Sequence, residues 1–72
     1  YYGPAVADIM KTLSLNPRHF GALAGLGLIL EETGDTEGAL AAYRRALALH
    51  PHRPDVREAI ERLEKAAGGQ EL

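Results

Sequence analysis

Apolar residues fall into four stretches with helical spacing. Ala5, Val6, Ile9, Met10 and Leu13 recur at i, i+3, i+4 and i+7, the signature of one buried helix face, and predict a first helix from Pro4 to Leu15. Proline is tolerated in the first turn of a helix. Asn16-Pro17 ends it, because the residue before proline is steered away from helical angles. From Phe20 to Leu30 every residue is apolar or glycine. The second helix, His19 to Thr33, is therefore expected to be buried on several sides, with Gly34 as a left-handed C-terminal cap. Asp35 or Thr36 caps a third helix running to Leu49, with the stripe Ala39, Leu40, Tyr43, Ala46, Leu47 and with Arg44 and Arg45 outward. His50-Pro51 ends it. A fourth helix, Pro54 to Ala67, has a narrow stripe of Val56, Ile60, Leu63 and Ala67. Its other positions are charged, with Glu58–Arg62 and Glu61–Lys65 at the i, i+4 spacing that supports a helix.

Three glycines inside the most apolar segment, GALAGLGLILEE, admit three explanations. A dinucleotide loop needs G-x-G-x-x-G after a strand, but Leu30 stands where the third glycine would be and the upstream pattern is helical. A membrane span needs about 20 apolar residues, and this run stops at Glu31-Glu32. A closely packed helix remains, with each interior glycine costing roughly 1 kcal/mol against alanine unless a neighbour must approach there.

The chain also repeats itself. Pro17 closes Leu13-Ser-Leu-Asn-Pro, Pro51 closes Leu47-Ala-Leu-His-Pro, and 51 − 17 gives an offset of 34. The same shift lays Ala5 on Ala39, Val6 on Leu40, Ile9 on Tyr43, Leu26 on Ile60 and Leu63 on Ile29. Leu23, Leu26, Gly27 and Leu30, then Gly34-Asp35, then Ala39, Tyr43 and Ala46, then Pro51 together resemble the tetratricopeptide repeat (TPR) family. Leu23 and Leu30 replace the family's usual aromatics. The resemblance covers nearly all of residues 1–72 and implies an all-α fold: four helices forming antiparallel hairpins in a right-handed superhelical TPR stack. Residues 4–17 would be the second helix of a truncated repeat, 19–51 one complete repeat, 54–67 a C-terminal capping helix, and 68–72 a flexible tail. Tyr1 and Tyr2 would fall in the turn before the first helix. The wording PRHFGALAGLG also resembles the last repeat of bacterial TPR proteins whose full-length forms look exported, which leaves the compartment open between cytoplasm and periplasm. Gly27 is expected where the two helices of the complete repeat meet, facing Ala39.

Composition narrows the chemistry. The formal net charge is −2 and no basic run occurs, which argues against nucleic acid; with no membrane-length apolar run, a membrane is not expected as partner either. There is no cysteine, so neither a disulfide framework nor a thiolate metal site exists. Ser14 lies between leucines without a nucleophile-elbow motif, and adjacent Glu31 and Glu32 diverge on a helix; no catalytic constellation is present and no enzyme activity or cofactor is expected. His19, His50 and His52 lie near helix ends without metal-ligand spacing and read as solvated turn residues.

By resemblance, the function is non-catalytic protein–protein interaction. The implied concave groove is lined by Gly21, Ala24, Leu28, Glu31 and Glu32, with Glu58 and Arg62 from the last helix. The family's clamp for acidic chaperone tails would fall on Ala24 and Leu28, so no such clamp is expected. A groove apolar in the middle and acidic at one lip would suit an apolar or basic segment. The alternative is a structural cap, or a homodimer through Val6, Ile9, Met10 and Leu13, since an uncovered apolar stripe tends to associate.

Overall fold

The computed structural model describes residues 3–68. They form α1 (Gly3–Leu15), α2 (Phe20–Glu32), α3 (Thr36–Leu49) and α4 (Pro54–Gly68), with no strand among the described residues. The all-α hairpin stack expected from the sequence is the fold observed. Tyr1, Tyr2 and residues 69–72 lie outside the described residues; Gly68 continues α4 one residue past the expected end.

Local chemistry sets each boundary. After α1, the Asn16 side chain accepts a hydrogen bond from the Arg18 backbone N–H (3.2 Å), a turn that satisfies the chain as it reverses. His19 is the N-cap of α2 rather than its first residue: its Nδ1 accepts from the Ala22 backbone N–H at 3.0 Å, satisfying one of the orphan donors of the helix start. At the other end, Gly34 takes φ +91°. Its N–H reaches the Glu31 carbonyl (3.2 Å) and the Asp35 N–H reaches the Leu30 carbonyl (2.8 Å), the paired bonds of a Schellman cap. The cap of α3 is Asp35, not Thr36: its carboxylate accepts from the Gly38 N–H at 3.0 Å.

Consecutive helices pack on one another, joined by turns of three or four residues. The shortest dimension of the molecule is 15 Å, about the thickness of two packed helices. One cluster joins Ala39, Leu40 and Tyr43 of α3 to Val56, Ala59, Ile60 and Leu63 of α4. Another joins Leu13 of α1, Ala22 and Leu23 of α2 and Ala46 of α3. Phe20 packs against both. Ala59 thus takes the core place expected of Ala67, which is exposed. The helix expected to be buried on several sides is not: α2 buries Ala22, Leu23 and Gly27, while Leu28 is 52% exposed.

Candidate functional site

Gly27 is the closest point of the α2–α3 joint. A Cβ placed there would lie 2.9 Å from ring carbons of Tyr43, closer than real carbon contacts allow. The residue that demands the glycine is therefore Tyr43, not Ala39 as expected. Both helices use small residues nearby: Ala39 and Ala46 are fully buried. Gly25 meets only Ile9 Cδ1, at 3.6 Å, an ordinary contact.

Adjoining that joint, α2 carries Gly21, Ala24, Leu28 and Glu31 at i, i+3, i+7 and i+10, one face of the helix. Gly21 and Leu28 are exposed, and Ala24 and Glu31 half-buried. Small side chains flank the exposed leucine. Glu31 follows on the same face. Its Oε2 accepts from Nε (3.0 Å) and Nη2 of Arg62 on α4, and its Oε1 accepts from the Tyr43 hydroxyl on α3 (3.3 Å). One carboxylate thus ties three helices. Glu31 raises the pKa of the Arg62 guanidinium, chiefly through the hydrogen bond. Burial, and then the Glu31 charge and hydrogen bond, push the Tyr43 phenol up. Arg62 is largely solvated, so water screens the pair and its net contribution to stability is small.

This arrangement corrects two expectations. The acidity expected of Glu31 is neutralised by its pair with Arg62. The intrahelical pairs Glu58–Arg62 and Glu61–Lys65 are not among the ion pairs formed by the described residues; Arg62 pairs with Glu31, Arg44 with Glu64 at 2.6 Å, and Arg53 with Asp55 at 3.0 Å.

Two of the three histidines, His19 and His50, do more than sit solvated in turns, while His52 is exposed as expected. The His50 ring stands edge-on to Phe20 with centroids 4.9 Å apart, and the Arg53 guanidinium lies 4.5 Å from the centre of the same ring. With His19 as cap, these contacts pin the start of α2 to the α3–α4 turn. Among the described residues no group of His, Cys, Asp or Glu could hold a metal ion, and no helix is long and apolar enough to cross a membrane.

The stripe on α1 is only partly open. Leu13, expected to be available for self-association, is buried in the core. Val6 and Ile9 are half-buried. Met10 is 53% exposed, and Leu15, outside the expected stripe, is 79% exposed.

The family model of the tetratricopeptide repeat matches residues 20–63, more than half of the chain. The chain belongs to the tetratricopeptide repeat family. TPR repeats are generally protein–protein interaction modules and non-catalytic scaffolds. A TPR repeat-containing protein of Rhizobium etli is 37% identical over 70 residues, 96% of this chain and 34% of the relative. Cellulose synthase operon protein C of Escherichia coli K12 and its putative counterpart in Escherichia coli O157:H7 are each 36% identical over 50 residues, 69% of this chain and 4% of theirs. The chain therefore spans about a third of the length of the Rhizobium relative and a small fraction of the other two. No solved structure matches. The matched residues begin at Phe20, whose ring contacts fix the start of α2, and end at Leu63, in the core of α4.

Proposed function

We propose that this TPR segment is a protein-binding scaffold whose partner lies along a shallow apolar trough of α2, over Ala24 and Leu28, with Glu31 and Arg62 at its end. The observation that carries this reading is Leu28: a large apolar side chain half open to solvent on a helix whose other face is committed to the core. Its flanks, Gly21 and Ala24, are too small to cover it. Because Glu31 is already paired with Arg62, the trough favours an apolar segment over a strongly basic one. In this reading residues 19–51 are one repeat, 4–17 the second helix of the repeat before it, and 54–67 the closing helix. The test is an NMR titration of the chain with an amphipathic helical peptide carrying leucines at i and i+4. The reading expects shifts concentrated on Ala24 and Leu28 and their loss in Leu28→Asp. Shifts that survive Leu28→Asp, or an absence of binding, would overturn it.

A second reading, self-association through α1, is favoured by the exposure of Met10 and Leu15. Light scattering over a concentration series tests it. A dimer lost in Met10→Glu supports it, and a monomer throughout removes it. Met10 is a better probe than Ile9, whose side chain already packs against the core.

A further inference from the structure

A second surface lies away from the Leu28 face of α2. Pro17 and Arg18 of the α1–α2 turn, Leu23 of α2, and Arg45, Ala48 and Leu49 of α3 line an open hollow of about 280 Å³. None of Gly21, Ala24, Leu28, Glu31 or Arg62 lines it.

Its chemistry is two-part. Leu23, Ala48 and Leu49 supply an apolar floor, and Arg18 and Arg45 supply positive charge at an exposed rim. No carboxylate lines the hollow. Elsewhere Arg44, Arg53 and Arg62 are each paired with an acid of the same chain; among the described residues neither Arg18 nor Arg45 has such a pair. Two arginines that line an apolar hollow in a chain of net charge −2 form a local potential opposite to that of the whole molecule. A long polyanion would meet that overall negative charge, whereas a short acidic segment would meet only the local field.

We propose that this hollow binds an acidic peptide segment in which an aliphatic side chain flanked by carboxylates enters over Leu23 and Leu49 while the carboxylates pair with Arg18 and Arg45. Bidentate guanidinium–carboxylate geometry gives such a site direction as well as charge.

The test uses the whole chain and a fluorescein-labelled Glu-Glu-Leu-Glu-Glu peptide, read by anisotropy at low salt. Saturable binding is expected, weakened about tenfold or more by Arg45→Glu or by Arg18→Glu. Arg57→Glu, an equal charge change at an exposed position of α4, should leave it unchanged, as should Leu28→Asp. Replacing the peptide's leucine by serine should also weaken it. The proposal is overturned by absence of saturable binding, by equal weakening in Arg57→Glu, or by binding indifferent to the leucine and displaced by an oligonucleotide, which would mark a general anion surface. All four substitutions are at exposed positions, and circular dichroism of each variant confirms that it is folded before binding is read.

Discussion

At one end of the stack, α4 lays Val56, Ala59, Ile60 and Leu63 against α3 and turns its charges outward. At the other end, α1 buries Leu13 alone, leaves Val6 and Ile9 half covered and shows Met10 to solvent. Each helix packs mainly on one neighbour, and the difference lies in what that neighbour offers. The α3 helix offers Leu40 and Tyr43, large side chains between which α4 can settle. The α2 helix offers glycine where α1 crosses it: Gly25 stands opposite Ile9. An apolar stripe needs area on both sides of a contact: Leu13 finds it in Ala22 and Leu23, but Ile9 faces a position that has no side chain. The α4 helix is thus matched to its neighbour, and α1 carries more apolar surface than its neighbour covers.

The sharpest way to break that comparison is a pair of truncations. Leu63→Ala removes a core side chain of α4 and should cost about 2–5 kcal/mol, enough to unfold much of so small a chain. Met10→Ala should stay within about 0.5 kcal/mol. Equal losses in denaturant melts would mean that α1 is as well packed as α4. Next in size is Gly27→Leu at the joint that both ends share. With the Tyr43 ring already within 2.9 Å of a Cβ, it should cost on the order of 1–3 kcal/mol or more; an unchanged melting temperature would contradict the close approach. Gly34→Ala forces a side chain into φ +91° and should cost about 1–2 kcal/mol, although its Cβ would meet nothing. Gly25→Ala goes the other way. Its Cβ would make an ordinary contact with Ile9, so it should stabilise the chain by about 0.5–1 kcal/mol and raise protection in α1 specifically.

The smallest effect is electrostatic. A folded-state pKa raised at Tyr43 means that folding favours the neutral phenol. Its contribution is complete below the ordinary tyrosine pKa near 10 and is lost as pH rises through the higher folded value. In an ultraviolet titration Tyr43, identified by its loss in Tyr43→Phe, should therefore ionise above the ordinary tyrosine value. Glu31→Gln, which removes the charge behind part of the shift, should bring it closer to that value. An ionisation of Tyr43 at the ordinary value would contradict the contact.

Much of this architecture is written in local pattern. The bounds of α3 match the stripe and its flanking Asp35 and His50, and Gly34 marks its own cap, because both depend on neighbours in sequence. The period of 34 carries the family. What escaped depends on how helices register against each other. Tyr43 and Arg62 reach Glu31 from 12 and 31 residues away, and no spacing rule on one helix anticipates that. The expected Glu58–Arg62 pair lost to a cross-helix partner for the same reason. Likewise Gly27 was legible as a close approach, but whether it met Ala39 or Tyr43 depended on the rotation of α3. His19 carries a cap role that the usual list of small polar caps does not suggest.

The central claim is that the two ends of this TPR segment differ in completeness. Amide hydrogen exchange, followed residue by residue at low protein concentration, tests it most directly, since exchange reports the free energy of local opening. The account predicts that amides of α1 exchange well before those of α3 and α4, with Leu13 the best protected position on α1. Protection of α1 equal to that of α4 at the lowest concentration would contradict it.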